Sequence, residues 1–240
     1  MMIVLMKTIA IILLTICLSS ISQDQYSFGL SSSQVKAIVS SLKDRKLSEK
    51  DLIPEGFMKV AEARGDLNHD GIDDLALIIR MKADDDEAYG TRQAVLLFTG
   101  DRSGTFTFWK VGAHHFVDSN GAFYEESGIG RFEIRKNVLV IHSTTTTIKP
   151  SGGGGGCVQK WRNEKSGFRL IGLRVDKIDR FCACGDSIDT NYLTGDEILT
   201  SDRDADGAQT EKMKTTRTKG KTRMVLWDEF NYDLFCRIGK

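Results

Sequence analysis

The chain carries none of the short motifs that would announce an enzyme. It has no Gly-x-Ser-x-Gly elbow to present a nucleophilic serine and no His-Glu-x-x-His pair to hold zinc. The glycine run at 152–156 is not followed by Lys and then Ser or Thr, so it does not resemble a phosphate loop; after Pro150 it reads as a flexible loop. Histidine is scarce, with His69, the neighbours His114 and His115, and His142 making up all 4. Adjacent histidines on a strand point to opposite faces and do not easily share a metal. An excess of one charge is also missing, since 33 Lys and Arg stand against 33 Asp and Glu. That balance leaves no basic field for nucleic acid or anionic lipid.

What is present begins with an apolar run at 2–18 broken by Lys7 and two threonines, followed by Ser20-Ile21-Ser22 before Gln23. This is the pattern of a secretory signal peptide at 1–22, with Met6-Lys7 as its natural start. The competing reading, an uncleaved membrane anchor, needs about 20 apolar residues, and the run is shorter than that. Lipid attachment at Cys17 is disfavoured by the bulk of Ile16. Cleavage leaves 218 residues at 23–240, enough for a single β-rich domain, and removes Lys7, so that 32 basic residues face 33 acidic ones. The expectation is an exported protein, periplasmic or extracellular, with no membrane span after cleavage.

Four cysteines remain: Cys157, Cys182, Cys184 and Cys236. An even number in an exported chain favours disulfides, with three possible pairings. Cys182 and Cys184 stand too close for an easy mutual bridge, so each is expected to pair with Cys157 or Cys236. A redox or metal site is the alternative, but no Cys-x-x-Cys pair or nearby histidine supports it.

Residues 31–46 carry the one convincing helix. Val35, Ile38, Val39 and Leu42 fall on one stripe, and Ser31-x-x-Gln34 is a capping box. After Pro54 the apolar period changes towards two. Short strands are expected at 57–63, 75–81, 93–98, 105–111, 131–135, 138–143, 158–162, 168–175, 197–200, 212–218 and 222–227, with turns at 100–104, 136–137 and 166–167. The pattern predicts a mainly β fold, an antiparallel meander forming a curved sheet or sandwich with one N-terminal helix. Eleven short strands do not furnish a complete propeller, which needs about four blades of four strands.

The sharpest local signal is Gly65-Asp66-Leu67-Asn68-His69-Asp70-Gly71-Ile72-Asp73-Asp74, which runs directly into the apolar stretch Leu75-Ala76-Leu77-Ile78-Ile79. Asp66, Asn68 and Asp70 place oxygens at loop positions 1, 3 and 5. Gly71 at position 6 permits the turn, the carbonyl of Ile72 serves at position 7, and Asp74 closes the ring at position 9. A hard cation takes about 6 to 8 oxygens, and clustered carboxylates repel one another without it. Position 12 is Leu77 and a strand follows, so this is not a helix-loop-helix calcium hand.

These residues resemble the calcium loop of the FG-GAP/VCBS-type repeat found in secreted bacterial proteins. The resemblance implies structural Ca2+ held by Asp66, Asn68, Asp70, Ile72 and Asp74, with Asp73 pointing outward. Asp202, Asp204 and Asp206 repeat the 1, 3, 5 spacing ahead of Gly207 and form a possible second metal site; the alternative there is a solvated hairpin tip. The acidic run at 84–87 reads as a solvated hairpin loop; the alternative there is a further ligand to calcium. The functional expectation is a calcium-binding β domain that binds an unknown protein or glycan at the cell surface without catalysis. Its rival is a secreted hydrolase using carboxylates in no recognisable pattern.

Overall fold

A computed structural model describes residues 30–82, 93–113, 115, 124–147, 153–179, 184–203, 209–231 and 235–236. The expected signal peptide, the acidic run at 84–87, His114, Cys182, Asp204 and Asp206 lie outside the described residues. Helix α1 (Ser32–Leu42) opens on the capping box read from the sequence: the Ser31 hydroxyl accepts from Gln34 N at 3.3 Å, and Ser31 N donates to Gln34 Oε1 at 2.8 Å. It ends four residues earlier than the expected boundary at 46. Lys43 turns extended, Asp44 takes a left-handed φ of 59°, and Lys46–Leu47 pairs as strand β1 with the later Phe106 and Thr107.

Strands β2 (Phe57–Gly65), β3 (Asp74–Met81), β4 (Gln93–Gly100) and β5 (Phe106–Gly112) join β1 in a five-stranded antiparallel sheet ordered β1-β5-β4-β3-β2. The reason β3 and β4 read as unbroken apolar runs is that both of their faces are covered. Leu75, Leu77, Ile79, Ala94, Leu96 and Phe98 pack under α1 with Ile38 and Leu42, while Ala76, Ile78, Val95 and Leu97 face the other way into a second core.

That second core lies against a seven-stranded antiparallel sheet, β6 (Tyr124–Arg135), β7 (Val138–Thr147), β8 (Gly153–Glu164), β9 (Gly167–Asp179), β10 (Cys184–Asn191), β11 (Asp196–Arg203) and β12 (Gln209–Lys219), in chain order from edge to edge. The sheet curls into a half-barrel and closes neither a barrel nor a propeller. Lys136 and Asn137, at φ 51° and 61°, form the two-residue turn between β6 and β7 whose left-handed pair matches strand twist. Leu139, Ile141, Cys157, Trp161, Leu173 and Val175 give the sheet its buried face. The layers therefore run helix, five strands, seven strands.

Three expectations need correction. The glycine run is not a loop: Gly153–Gly156 sits inside β8, paired to β9 throughout and to β7 from Gly154 on, because glycine in a central strand is held by its neighbours' hydrogen bonds. Strand β10 has too few apolar residues to be read from its sequence, CGDSIDTN, and is formed by pairing across β9 and β11. Residues 222–227 form no strand; only Leu226 bridges to Arg169 before a 3-10 turn at Trp227–Glu229.

That last segment instead straps the open end between the sheets. Val225, Trp227 and Phe230 are buried in the inter-sheet core, and Trp227 Nε1 donates to the Val111 carbonyl at 2.9 Å. Buried His115 stacks between Trp227, at 3.8 Å between centroids, and Phe230, at 5.0 Å, and its Nδ1 bonds Gln159 Oε1 at 2.9 Å. Cys236 is bridged to Cys157 of β8 across a Cα–Cα distance of 5.9 Å. The expected pairing of Cys184 with one of these two is thereby excluded. Cys184 is disulfide-bonded as well.

Candidate functional site

The loop between β2 and β3 is built by side chains bonding their own backbone. Asp66 Oδ1 accepts from His69 N at 2.6 Å and Asp70 N at 3.2 Å, and its Oδ2 accepts from Gly71 N at 3.0 Å. Asn68 Oδ1 accepts from Asp70 N at 2.9 Å, and Asp70 Oδ1 from Ile72 N at 2.8 Å. His69 and Gly71 carry left-handed φ values of 69° and 80°, the bend that the glycine at position 6 permits.

Asp74 is the pivot. Its carboxylate is fully buried; Oδ2 accepts from Leu67 N at 2.8 Å and Asn68 N at 3.1 Å, and Oδ1 from Gly100 N at 3.1 Å. Burial pushes its pKa above the ordinary carboxylate value, against the opposing pull of those three amides, and the nearby Asp70 charge pushes it further the same way. Asn68 Nδ2 stands between the two acids, 3.0 Å from Asp70 Oδ2 and 3.4 Å from Asp74 Oδ1.

The loop also joins the layers. Leu67 is buried in the inter-sheet core, Gly65 lies against Ile134 of β6, and Asn137 Nδ2 donates to the Asp66 carbonyl at 2.6 Å. Asp73 faces solvent, as expected from its position. Of the five expected ligands, then, the Asn68 amide links the Asp70 and Asp74 side chains, whereas Asp66 accepts from the His69, Asp70 and Gly71 amides. Among the described residues no three Asp, Glu, His or Cys side chains come together closely enough to hold a metal ion, since the third member of this cluster is an asparagine. Asp202, from the possible second site, lies in β11 with Oδ1 accepting from Gly185 N at 2.6 Å.

A second concave feature was not legible in the sequence. On the face of the seven-stranded sheet away from the core lies a trough of about 430 Å³ whose lining includes His142, Thr144, Gly156, Arg174, Asp176 and Thr200. Its carboxylates are occupied. Asp176 accepts from Arg174 Nε at 2.9 Å, and Asp186 accepts from Ser201 Oγ at 2.6 Å and pairs with Arg203 at 3.3 Å. Gly155 and Gly156 of the glycine run line it: a Cβ on Gly156 would stand 3.3 Å from His142 Nε2 and 3.7 Å from Asp176 Oδ2, so the bare glycine lets these two side chains close over the strand.

Among the described residues no helix is long and apolar enough to cross a membrane. Comparisons of the chain with protein-family models, with curated proteins and with solved structures find no match.

Proposed function

We propose that this chain is an exported calcium-binding β domain that works as a non-enzymatic binding or envelope-associated module. The observation that carries the reading is the buried Asp74 carboxylate, held beside Asp70 and Asn68 where the loop is seated on both sheets. A desolvated carboxylate next to a second negative charge is unfavourable by itself, and a divalent cation between them offsets both. The Asn68 amide nitrogen now supplies a partial positive charge to the two acids; turning that amide over would offer Oδ1 as a ligand instead. The likeness of the loop to FG-GAP/VCBS-type calcium loops supports the same assignment, with Asp66 and the Ile72 carbonyl completing the ring once the cation competes for them. Export is supported by the Cys157–Cys236 bridge together with the apolar leader, because disulfides persist in oxidising compartments.

The hydrolase reading would need two carboxyls free to act as acid and nucleophile in a cleft. The trough supplies the cleft, but Asp176, Asp186 and Asp202 are each bonded to a neighbouring group, which favours binding over catalysis.

Calcium titration followed by thermal unfolding tests the assignment. A site with Kd near 10⁻⁴ M adds roughly 1.4 kcal/mol at about 1 mM calcium. For a domain of this size that raises Tm by about 3–6 °C. Asp70→Ala should abolish the rise and Asp73→Ala should keep it. Equal behaviour of the two variants, or a wild-type Tm indifferent to chelator, would refute the calcium assignment.

A further inference from the structure

We propose that the trough on the seven-stranded sheet is a binding site for a neutral, hydroxyl-rich polymer, a glycan chain lying across the strands. This deepens the binding-module reading and rests on it, but it uses residues remote in sequence from the calcium loop.

The argument starts from register. Thr144 pairs with Gly156, Gly156 with Asp176, Asp176 with Ser187, Ser187 with Thr200, and Thr200 with Thr215. Directly paired residues on neighbouring strands point to one face, so these six form one transverse row that follows the curl of the sheet. With strands about 4.8 Å apart, the row extends over roughly 24 Å. It offers a hydroxyl, a bare glycine flanked by His142, a carboxylate and then three hydroxyls, spaced at a repeat that suits successive units of an extended sugar chain.

Charge narrows the ligand. The lining sets Arg174 and Lys177 against Asp176, Asp186 and Asp202, with Arg174 paired to Asp176 inside it and Asp186 paired to Arg203 outside it, which leaves little net charge. Such a field neither attracts a polyanion nor a strongly cationic chain. A paired Arg and Asp nonetheless give donor and acceptor side by side, which is what a vicinal diol requires because each hydroxyl both donates and accepts.

Shape narrows it further. Strands β7 to β11 are hydrogen-bonded on both sides, so the trough floor has no free backbone ladder with which to hold a peptide as an added strand. Recognition there has to run through side chains. Ile178 and Met213, 53% and 71% exposed at one end of the trough, supply an apolar surface for the C–H faces of sugar rings.

The test is calorimetric titration of the full chain with hexasaccharides of β-1,4-linked glucose, xylose and N-acetylglucosamine, with a sulfated hexasaccharide and a Ser/Asp hexapeptide as competing probes. At least one neutral hexasaccharide should bind. Thr200→Val, which keeps the β-branched shape and loses one hydrogen bond, should weaken it about 3- to 10-fold, and Asp176→Asn about 10- to 100-fold. Lys160→Ala, on the same face of β8 but outside the trough, should change nothing. Unaltered melting of each variant separates lost binding from lost fold.

No neutral hexasaccharide bound at about 10 mM overturns the proposal. So does binding that ignores Thr200→Val and Asp176→Asn, or a preference for the sulfated or peptide probe. A calcium response without glycan binding sinks this proposal alone; glycan binding without a calcium response sinks only the calcium assignment.

Discussion

Removing the Cys157–Cys236 bridge by the double substitution Cys157→Ala, Cys236→Ala probes how the C-terminal strap is held. The two residues are 79 apart in sequence, and the chain-entropy treatment of a loop that long gives about 4.5 kcal/mol of stabilisation at 25 °C. That is a large share of a domain's usual 5–15 kcal/mol or so. The strap has a second anchor, however. Burial of Val225, Trp227 and Phe230 contributes roughly 1.5–3 kcal/mol each, or about 4.5–9 kcal/mol together, independent of the covalent link. The variant should therefore remain folded with the strap docked. Its near-UV circular dichroism, dominated by the Trp161 and Trp227 cluster, should be nearly native at 25 °C, while Tm falls by roughly 9–18 °C. The substitution is a cleaner perturbation than a reductant, because Cys184 is disulfide-bonded too. A stability loss under about 1 kcal/mol would refute the entropic argument. Loss of the near-UV signal at 25 °C with intact far-UV signal would refute the claim that packing alone keeps the strap in place.

Two further outcomes follow from the fold. Gly112→Ala should cost roughly 1–3 kcal/mol, because a Cβ there would overlap the His115 ring and stand 2.5 Å from Trp227 Cζ2, two buried rings with no room to yield; a Tm within error of wild type would mean that the strap is looser than described. Asp101, in the turn between β4 and β5, accepts from Lys46 Nζ at 2.6 Å and from the Ser103 and Thr105 hydroxyls, and these hold its carboxyl well below the ordinary value. A lowered folded-state pKa gives stability that is present above the unfolded value, near 3.9, and is lost as pH falls through the folded one. The Tm gap between wild type and Asp101→Asn should thus be widest at neutral pH and start to narrow as pH falls below about 4; a gap that does not change with pH would contradict this.

The parts of the fold that were legible in the sequence are those in which local pattern and tertiary burial agree. The capping box of α1 is local chemistry, complete within Ser31 and Gln34. The two-faced burial of β3 and β4 is written directly as continuous apolar runs. Strand β10 was illegible because CGDSIDTN has only one large apolar residue, and pairing on both sides rather than propensity makes it extended. The glycine run misled for a related reason. Composition speaks for flexibility, yet a central strand needs only backbone groups to hold its register, and Gly153–Gly156 supplies those in full. The strap was misread as a strand because Val225, Leu226 and Trp227 are apolar in succession, whereas the Val225 and Trp227 side chains cap a core.

The two candidate sites differ in legibility for a geometric reason. All the residues of the proposed calcium loop lie within nine positions, so a spacing rule that aims alternate side chains at one centre can be read from the letters alone. What spacing could not say is how deep each side chain sits. Asp74 is fully buried while Asp70, Asp73 and His69 are exposed, and that difference comes from Gly100 of β4 and Asn137 of the neighbouring sheet, which are remote in sequence. The trough, short runs at 155–156, 176–178 and 185–187 aside, is assembled from residues remote in sequence. Its row takes one residue from each of six strands, at 144, 156, 176, 187, 200 and 215, and the unequal intervals are set by hairpin length and register rather than by any repeat. A one-residue slip in any of those pairings would carry the following residues of the row to the opposite face. The pairing register is therefore what defines the site, and deleting one residue from β10 should abolish glycan binding through Ser187, Thr200 and Thr215 while leaving the calcium response of the loop unchanged.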